Sequence, residues 1–318
     1  MLGLGLLWAP LTAQSQPEKV TRVGILVAGP STPEADTYKA FRQGLSERGW
    51  IEGRNLALDF RWADNRYDRL PTLAAELVAL KPDVIFAVAA PAIRAAAQTT
   101  STIPIVIETL GDAASAGLVP DLARPGGNIT GVSGFAPELV SKRLQLVREM
   151  LPKADRIGVL ANLANPTSPA VVRATEAAAR QLQLQVHVGD VREATQLADA
   201  FARLRRQGAD ALLVVSDPLL HNQAPQMLQL AERHRLPTVY EQRLFTDAGG
   251  LLSYGPGRLD RFQRAAAYVD RILRGAKPAE LPLERPTKFE LVINLRTAKA
   301  LRLAIPHAVL LQATDVIE

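Results

Sequence analysis

The chain has 318 residues, of which 47% are apolar and 22% charged, with a formal net charge of +5 and no cysteine. That length exceeds one ordinary domain and that composition supports a substantial core. The missing thiols exclude disulfides, thiolate metal sites and a lipid-modified N-terminal cysteine, and the scattered cations, mixed with acids and without interleaved aromatics, exclude a nucleic-acid partner.

Residues 1–11 are apolar and uncharged, and Thr12-Ala13-Gln14-Ser15 has the small residues that suit signal peptidase. The cationic start of a signal is missing, so residues 1–19 read as a truncated export leader with a linker. The run is too short to span a bilayer. The mature protein is therefore expected in the periplasm as a free, soluble monomer, not as a lipoprotein.

Strand and helix patterns then alternate. Residues 20–28 form a β-branched run closed by Gly29-Pro30, and residues 37–48 carry apolar groups at helical spacing up to Gly49. Residues 56–62 read as a strand, 70–80 as a helix ending before Pro82, and 83–89 as a buried strand. Such alternation predicts parallel sheets covered by helices on both faces.

An internal repeat sharpens this. Arg22-Val23-Gly24-Ile25-Leu26 recurs as Arg156-Ile157-Gly158-Val159-Leu160, and Asp83-Val84-Ile85-Phe86-Ala87-Val88 as Asp210-Ala211-Leu212-Leu213-Val214-Val215. In both copies a proline (Pro91, Pro218) follows the aspartate by eight residues, and a strand after a further proline closes the unit, at Ile103-Pro104-Ile105-Val106 and Leu236-Pro237-Thr238-Val239. The expected fold class is α/β, with two doubly wound parallel-sheet lobes, a hinge and a cleft between them. Residues 20–134 with 251–284 are assigned to the first lobe and 135–250 with 285–318 to the second. The helix at 259–274 returns to the first lobe, and the strand and helix at 288–303 cross once more.

Open parallel sheets bind ligands at the carboxyl ends of their strands. The repeat therefore points to loops 29–32, 89–92 and 109–113 in one lobe, and to 162–167, 216–219 and 240–242 in the other. Gly29 and Pro30 occupy the first of these loops. At Ala90, Pro91 and Ala92, a proline near the first helical position and small neighbours leave amides open to a carboxylate, although a plain strand-to-helix turn looks the same. Asp112 and Asp217 can each pair with a ligand ammonium or cap a helix. Asn162 and Asn165 offer donors and acceptors, and Asn165 before Pro166 can equally start a turn. Tyr240 and Glu241 at a strand end can stack on and hydrogen-bond a solute, and Tyr254 lies in the expected hinge.

Catalytic signals are thin. No serine elbow, phosphate loop or dinucleotide fingerprint is present. The four histidines, His187, His221, His234 and His307, lack metal-ligand spacing and read as surface or helix-end residues. Neither an enzymatic role nor a cofactor is expected.

Several segments carry a family resemblance. They are Phe41-Arg42-Gln43-Gly44-Leu45, Gly53-Arg54-Asn55, Arg61-Trp62-Ala63, Arg69-Leu70-Pro71 and Gly117-Leu118-Val119. Three more are longer: Ala123-Arg124-Pro125-Gly126-Gly127-Asn128-Ile129-Thr130-Gly131, Ser253-Tyr254-Gly255-Pro256 and Pro286-Thr287-Lys288-Phe289-Glu290-Leu291-Val292-Ile293-Asn294. Over residues 22–318 the chain resembles ABC transporter substrate-binding proteins of the group that includes tryptophan- and tyrosine-binding proteins. The resemblance implies a type I periplasmic-binding-protein fold, three lobe crossings, a small-molecule solute between the lobes, and a permease and an ATPase as partners. It also implies a solute-binding role in import, the solute being an amino acid or an aromatic or other small carboxylate. The family's glycine-threonine-proline segment is Ala89-Ala90-Pro91 here, and its glycine-aspartate-proline segment is Gly111-Asp112-Ala113, so a hydroxyl suited to a ligand carboxylate is absent and a different solute is expected. Two alternatives are a ligand-sensing domain without transport and an α/β enzyme such as a glycosyltransferase.

Overall fold

The computed structural model describes residues 20–32, 35–109, 113–114, 116–134 and 137–318; the leader assigned to 1–19 lies outside the described residues. The first sheet contains β1 (Thr21–Val27), β2 (Leu56–Trp62), β3 (Val84–Val88), β4 (Ile105–Thr109) and β5 (Ile129–Ser133), in the order β2-β1-β3-β4-β5. Helices α1 (Asp36–Ser46), α2 (Leu70–Ala79) and α3 (Ala90–Thr99) make its crossovers. After α4 (Pro137–Met150), a second sheet is built from β6 (Arg156–Ala161), β7 (Gln185–Asp190), β8 (Ala211–Val214), β9 (Thr238–Tyr240) and β10 (Leu252–Pro256). Its helices are α5 (Ser168–Gln181), α6 (Leu197–Arg206), α7 (Pro218–Asn222), α8 (Ala224–His234) and α9 (Arg243–Asp247). A long α10 (Arg258–Leu273) follows, then β11 (Phe289–Asn294), α11 (Leu295–Ala300), α12 (His307–Leu310) and β12 (Asp315–Ile317). The second sheet runs β12-β11-β10-β9-β8-β6-β7, with β10 and β11 antiparallel.

Burial on both faces explains the unbroken apolar runs in the strands. Val23, Ile25 and Val27 of β1 join Phe41, Phe86 and Phe262 on one side of the first sheet, while Leu26 joins Leu77, Ile85 and Ile93 on the other. In the second sheet Val159 packs with Val147 and Leu213, and Leu160 with Phe201 and Tyr240 on the opposite face. The repeat is visible in hydrogen bonds as well as in strand order. Asp83 accepts the Arg22 amide at 2.8 Å and returns its own amide to the Arg22 carbonyl at 2.8 Å. Asp210 does the same with Arg156, at 3.0 and 2.9 Å.

One assignment changes. Sequence patterning places residues 251–256 with the first lobe, yet β10 lies inside the second sheet, with Leu252 opposite Val239 in parallel and Ile293 in antiparallel register. Gly249-Gly250 does mark a turn, but Leu251 and Leu252 have no exposed surface and reach that burial only by extending the sheet. The chain leaves the second lobe after Pro256, and α10 packs on α1, β3, β4 and β5 of the first. A Cβ on Gly44 would stand 2.9 Å from that of Ala266, so glycine lets α1 and α10 approach closely. The first and third crossings run side by side: Ser133 donates its amide to Glu284 at 3.0 Å, and Glu284 to Gly131 at 2.9 Å. Gly131 has φ +134, and a side chain there would meet the Ile107 carbonyl oxygen at 2.4 Å.

Candidate binding site between the lobes

A cavity of about 290 Å³ lies where the carboxyl ends of the two sheets face one another. The first lobe lines it with Gly29 and Pro30 after β1, Ala89 and Ala90 after β3, and Glu108 in β4. The second contributes Asn165, Ser216, Pro218, His221 and Gln242, and α10 adds Arg258 and Arg261. A wider groove of about 820 Å³ adjoins it on the hinge side and shares Ala35, Gln242, Leu244 and Arg258 with it.

The turn from β3 into α3 is the sharpest piece of backbone at the cavity. Ala89 adopts φ 73, ψ 149, a region natural to glycine and costly for any residue with a Cβ. Its amide is held by the Glu108 carbonyl at 2.9 Å. Beyond it, Ala90 and Ala92 are first-turn residues whose amides have no intrahelical acceptor and no side-chain cap, and Pro91 has no amide at all. Replacing Ala89 with glycine is expected to stabilise the protein by about 1 kcal/mol, since relief of strain exceeds the added chain entropy of the unfolded state. Urea denaturation checks this; equal or lower stability of the variant would contradict the strain.

The charges are arranged around α10. Arg261 and Glu108 form an ion pair through Nη1 and Oε1, with side chains only 2% and 7% exposed. Burial pulls the Arg261 pKa down, and its Nε has no partner. Arg258 sits one helical turn earlier; among the described residues it has neither an ion pair nor a hydrogen bond, and the surrounding protein lowers its pKa too, against the influence of Tyr38. Tyr38 is wedged edge-on against Phe60, Trp62 and Phe262, and burial raises its pKa, so its hydroxyl stays protonated.

Beneath the second-lobe wall Asp217 is saturated. Its Oδ1 accepts the amides of Leu219 at 2.9 Å and Leu220 at 3.3 Å, capping α7. Its Oδ2 accepts Asn165 Nδ2 at 2.8 Å and, from the first lobe, the Tyr67 hydroxyl at 3.0 Å; Asn162 Nδ2 is 3.3 Å from both oxygens. Desolvation pushes the Asp217 pKa up, against the opposing pull of Asn165, Asn162 and Tyr67. Ser216 stands between Gln242, which donates to it at 3.2 Å, and His221 Nε2 at 3.0 Å. Burial drives the His221 pKa down to about 3, so the ring is neutral. The Oε1 of Gln242 has no partner.

Of the residues singled out in the sequence, Gly29, Pro30, Ala90 and Asn165 line the cavity. Pro91 and Ala92 lie behind it in α3, and Asn162 and Asp217 form the hydrogen-bonded layer below. Tyr240 belongs to the core, stacked on Phe245 at 4.5 Å, because its strand is buried on both faces. Glu241 faces the outer groove and pairs with Arg143 at 3.1 Å. Tyr254 packs against the second-lobe core, and its carbonyl accepts Arg143 Nε at 2.8 Å. Asp112 lies outside the described residues. His221, expected at a surface or helix end, lines the cavity. Sequence reasoning missed Glu108, Arg258 and Arg261 as lining residues and reached Gln242 only as the end of the 240–242 loop. The only signal for the arginines was their i,i+3 spacing after Gly257.

Among the described residues no helix is long and apolar enough to cross a membrane, and no group of His, Asp or Glu side chains could hold a metal ion. Comparison with known proteins agrees with the two-lobe design. The sequence pattern of the ABC transporter substrate binding protein family matches residues 21–317. A tyrosine-binding protein of Clostridioides difficile (strain R20291) is 28% identical over 287 residues, covering 90% of this chain and 82% of its own. An ABC domain from Streptococcus pneumonia, solved in complex with L-Trp, is 27% identical and superimposes with a TM-score of 0.87 over 93% of this chain and 99% of its own. A substrate-binding protein with adhesive properties from Clostridium difficile, in its ligand-free, open structure, is 26% identical with a TM-score of 0.68 over 94% and 99%. Two parallel-sheet lobes of the type I periplasmic-binding-protein class, a cavity at their facing strand ends, and a family match across nearly the whole chain have one common reading: this chain belongs to the ABC transporter substrate-binding proteins and is a binding protein, not an enzyme.

Proposed function

We propose that this chain captures a small organic solute bearing a carboxylate between its lobes, closes over it in the periplasm, and delivers it to the permease and ATPase of an ABC importer. One observation carries the reading. The cavity at the strand ends of both lobes collects polar groups that the protein itself leaves unsatisfied: the amide of Ala90, Arg261 Nε and Gln242 Oε1. Buried groups of this kind are costly unless a ligand completes them. The volume suits a small solute. Relatives described as tyrosine-binding and as bound to L-Trp support a carboxylate-bearing ligand. At nearly equal identity, the TM-score is 0.87 against the L-Trp complex and 0.68 against the open, ligand-free protein, which supports closure as the working motion.

The test is a thermal-shift screen of amino acids, organic acids and nucleosides, followed by small-angle scattering with each hit. A cleft ligand at about 100 times its Kd is expected to add about 2.7 kcal/mol of stability and to shrink the radius of gyration. Hits recovered chemically unchanged support binding. If no compound changes either the melting temperature or the radius, the proposal fails.

A further inference from the structure

Resting on that function, we infer that Tyr67 is a latch between the lobes: it favours closure without touching the solute, so the ligand-free protein closes and reopens by itself. Tyr67 opens the short 3-10 turn Tyr67–Arg69 that leads into α2. The chain reaches it from β2 through Asp64 and Asn65, both left-handed at φ 52 and 64, a conformation these two residue types tolerate better than most. That bend is pinned to the end of β1. The amides of Asp64 and Asn65 donate to the carbonyls of Gly29 at 3.1 Å and Ala28 at 2.9 Å, and Asp64 Oδ1 accepts the Ser31 amide at 3.0 Å. The half-buried ring packs against the first-lobe core. From this fixed mount the hydroxyl crosses to the second lobe and donates to Asp217 Oδ2 at 3.0 Å, beside the Leu219 amide and the Asn162 side chain. Burial and the charge of Asp217 raise the Tyr67 pKa, so the hydroxyl remains a donor.

The receiving side is preformed as well. Asn162, Asn165 and the first turn of α7 hold Asp217 from within the second lobe, so opening strands no bare carboxylate and closing has little left to order. Beside the bond the lobes meet in van der Waals contact, where a Cβ on Gly29 would stand 3.9 Å from that of Pro218. Tyr67 follows β2, at the sheet edge opposite the β5 crossing, so opening the hinge separates the pair. Neither Tyr67 nor Asp217 is among the described residues that line the cavity. The bond therefore depends on lobe position and not on what the cavity holds. A contact made only in the closed form shifts the open–closed balance whether or not solute is present. One hydrogen bond exchanged against water changes that balance roughly threefold to tenfold. A solute that meets a partly closed protein needs less of its own binding energy to complete closure.

Electron–electron double resonance on the full chain reads the balance directly. The chain has no cysteine, so Ala75→Cys in α2 and Ala198→Cys in α6, both at exposed positions, take one spin label each. These helices pack beside β2 and β7, the sheet edges away from the crossings, where lobe motion is widest. Without ligand, the labelled protein is expected to show a short and a long distance. Tyr67→Phe, which keeps the ring, is expected to lower the short-to-long ratio roughly threefold to tenfold. A hydrogen bond with a purely structural role would lower the melting temperature and leave that ratio alone. The inference is overturned if the ligand-free parent shows the long distance alone, or if the ratio is the same in both proteins. The binding function is judged separately, by the compounds of the thermal-shift screen. Hits that close both proteins while Tyr67→Phe leaves the ligand-free ratio unchanged keep the function and remove the latch; a lowered ratio with no hit in the screen keeps the latch and removes the solute.

Discussion

Asp217→Ala is expected to lose about 3–5 kcal/mol of stability, lowering the melting temperature by roughly 10 °C. The substitution removes the acceptor for five protein donors at once: the amides of Leu219 and Leu220, the side-chain amides of Asn162 and Asn165, and the hydroxyl of Tyr67. No other protein acceptor replaces it in a layer where Asp217 has no exposed surface and the asparagines are at most 3% exposed. Water entering the vacated space can satisfy some of them, which keeps the loss below the sum of five orphaned groups. Of the two roles open to this residue on sequence grounds, ligand contact and helix cap, the cap is the one its saturated geometry fills, and folding is the first casualty of its loss. Tyr67→Phe is the control. It removes one donor and leaves the cap intact, so a loss of about 1 kcal/mol is expected. Thermal unfolding of the two variants side by side decides the matter, and an Asp217→Ala midpoint within about 2 °C of the parent would show that the network is dispensable.

The second large effect is on acid stability. His221 has its pKa driven from 6.5 down to about 3 by burial, with Arg258 acting in the same direction. A folded-state pKa below the unfolded one means that the neutral ring is favoured on folding. Its contribution is complete above pH 6.5 and is lost as the pH falls toward about 3, because the unfolded chain binds a proton that the folded one refuses. A shift of that size corresponds to about 4–5 kcal/mol, and partial access of water to the ring brings the expectation nearer 3 kcal/mol. The hydrogen bonds agree with the sign. Ser216 already accepts from Gln242, so its hydroxyl is free to donate to His221 Nε2. A protonated ring would have to donate into that same oxygen, with Arg258 nearby. Because many carboxylates titrate over the same interval, the measurement is a difference: denaturant midpoints of the parent and of His221→Gln between pH 7 and pH 4. The parent should lose stability more steeply. Parallel curves would place the histidine in a wetter or more acidic setting than the geometry gives it.

Much of this architecture was written locally. Alternating strand and helix patterns predicted two parallel sheets, and the duplicated Arg-Val-Gly and Asp-Val-Ile segments marked the equivalent strands, since side-chain period and turn chemistry depend on near neighbours. The same repeat pointed to loops that meet at the cavity, which Gly29, Pro30, Ala90 and Asn165 line. What no local pattern could reveal is which polar groups would already be satisfied. Asp217 looks like a free carboxylate until Tyr67 arrives from 150 residues away, and Glu108 and Arg261, 153 residues apart, become a buried pair only when α10 crosses back onto the first sheet. Tyr240 and β10 were misplaced for a related reason, because whether a strand end opens to a cleft or continues into a core depends on the strands beside it. Near-neighbour patterning suffices to lay down two sheets and to mark the loops at their strand ends. Tertiary structure alone decided which side chains there remain unpaired, because hydrogen-bond and charge partners are matched through space and not along the chain.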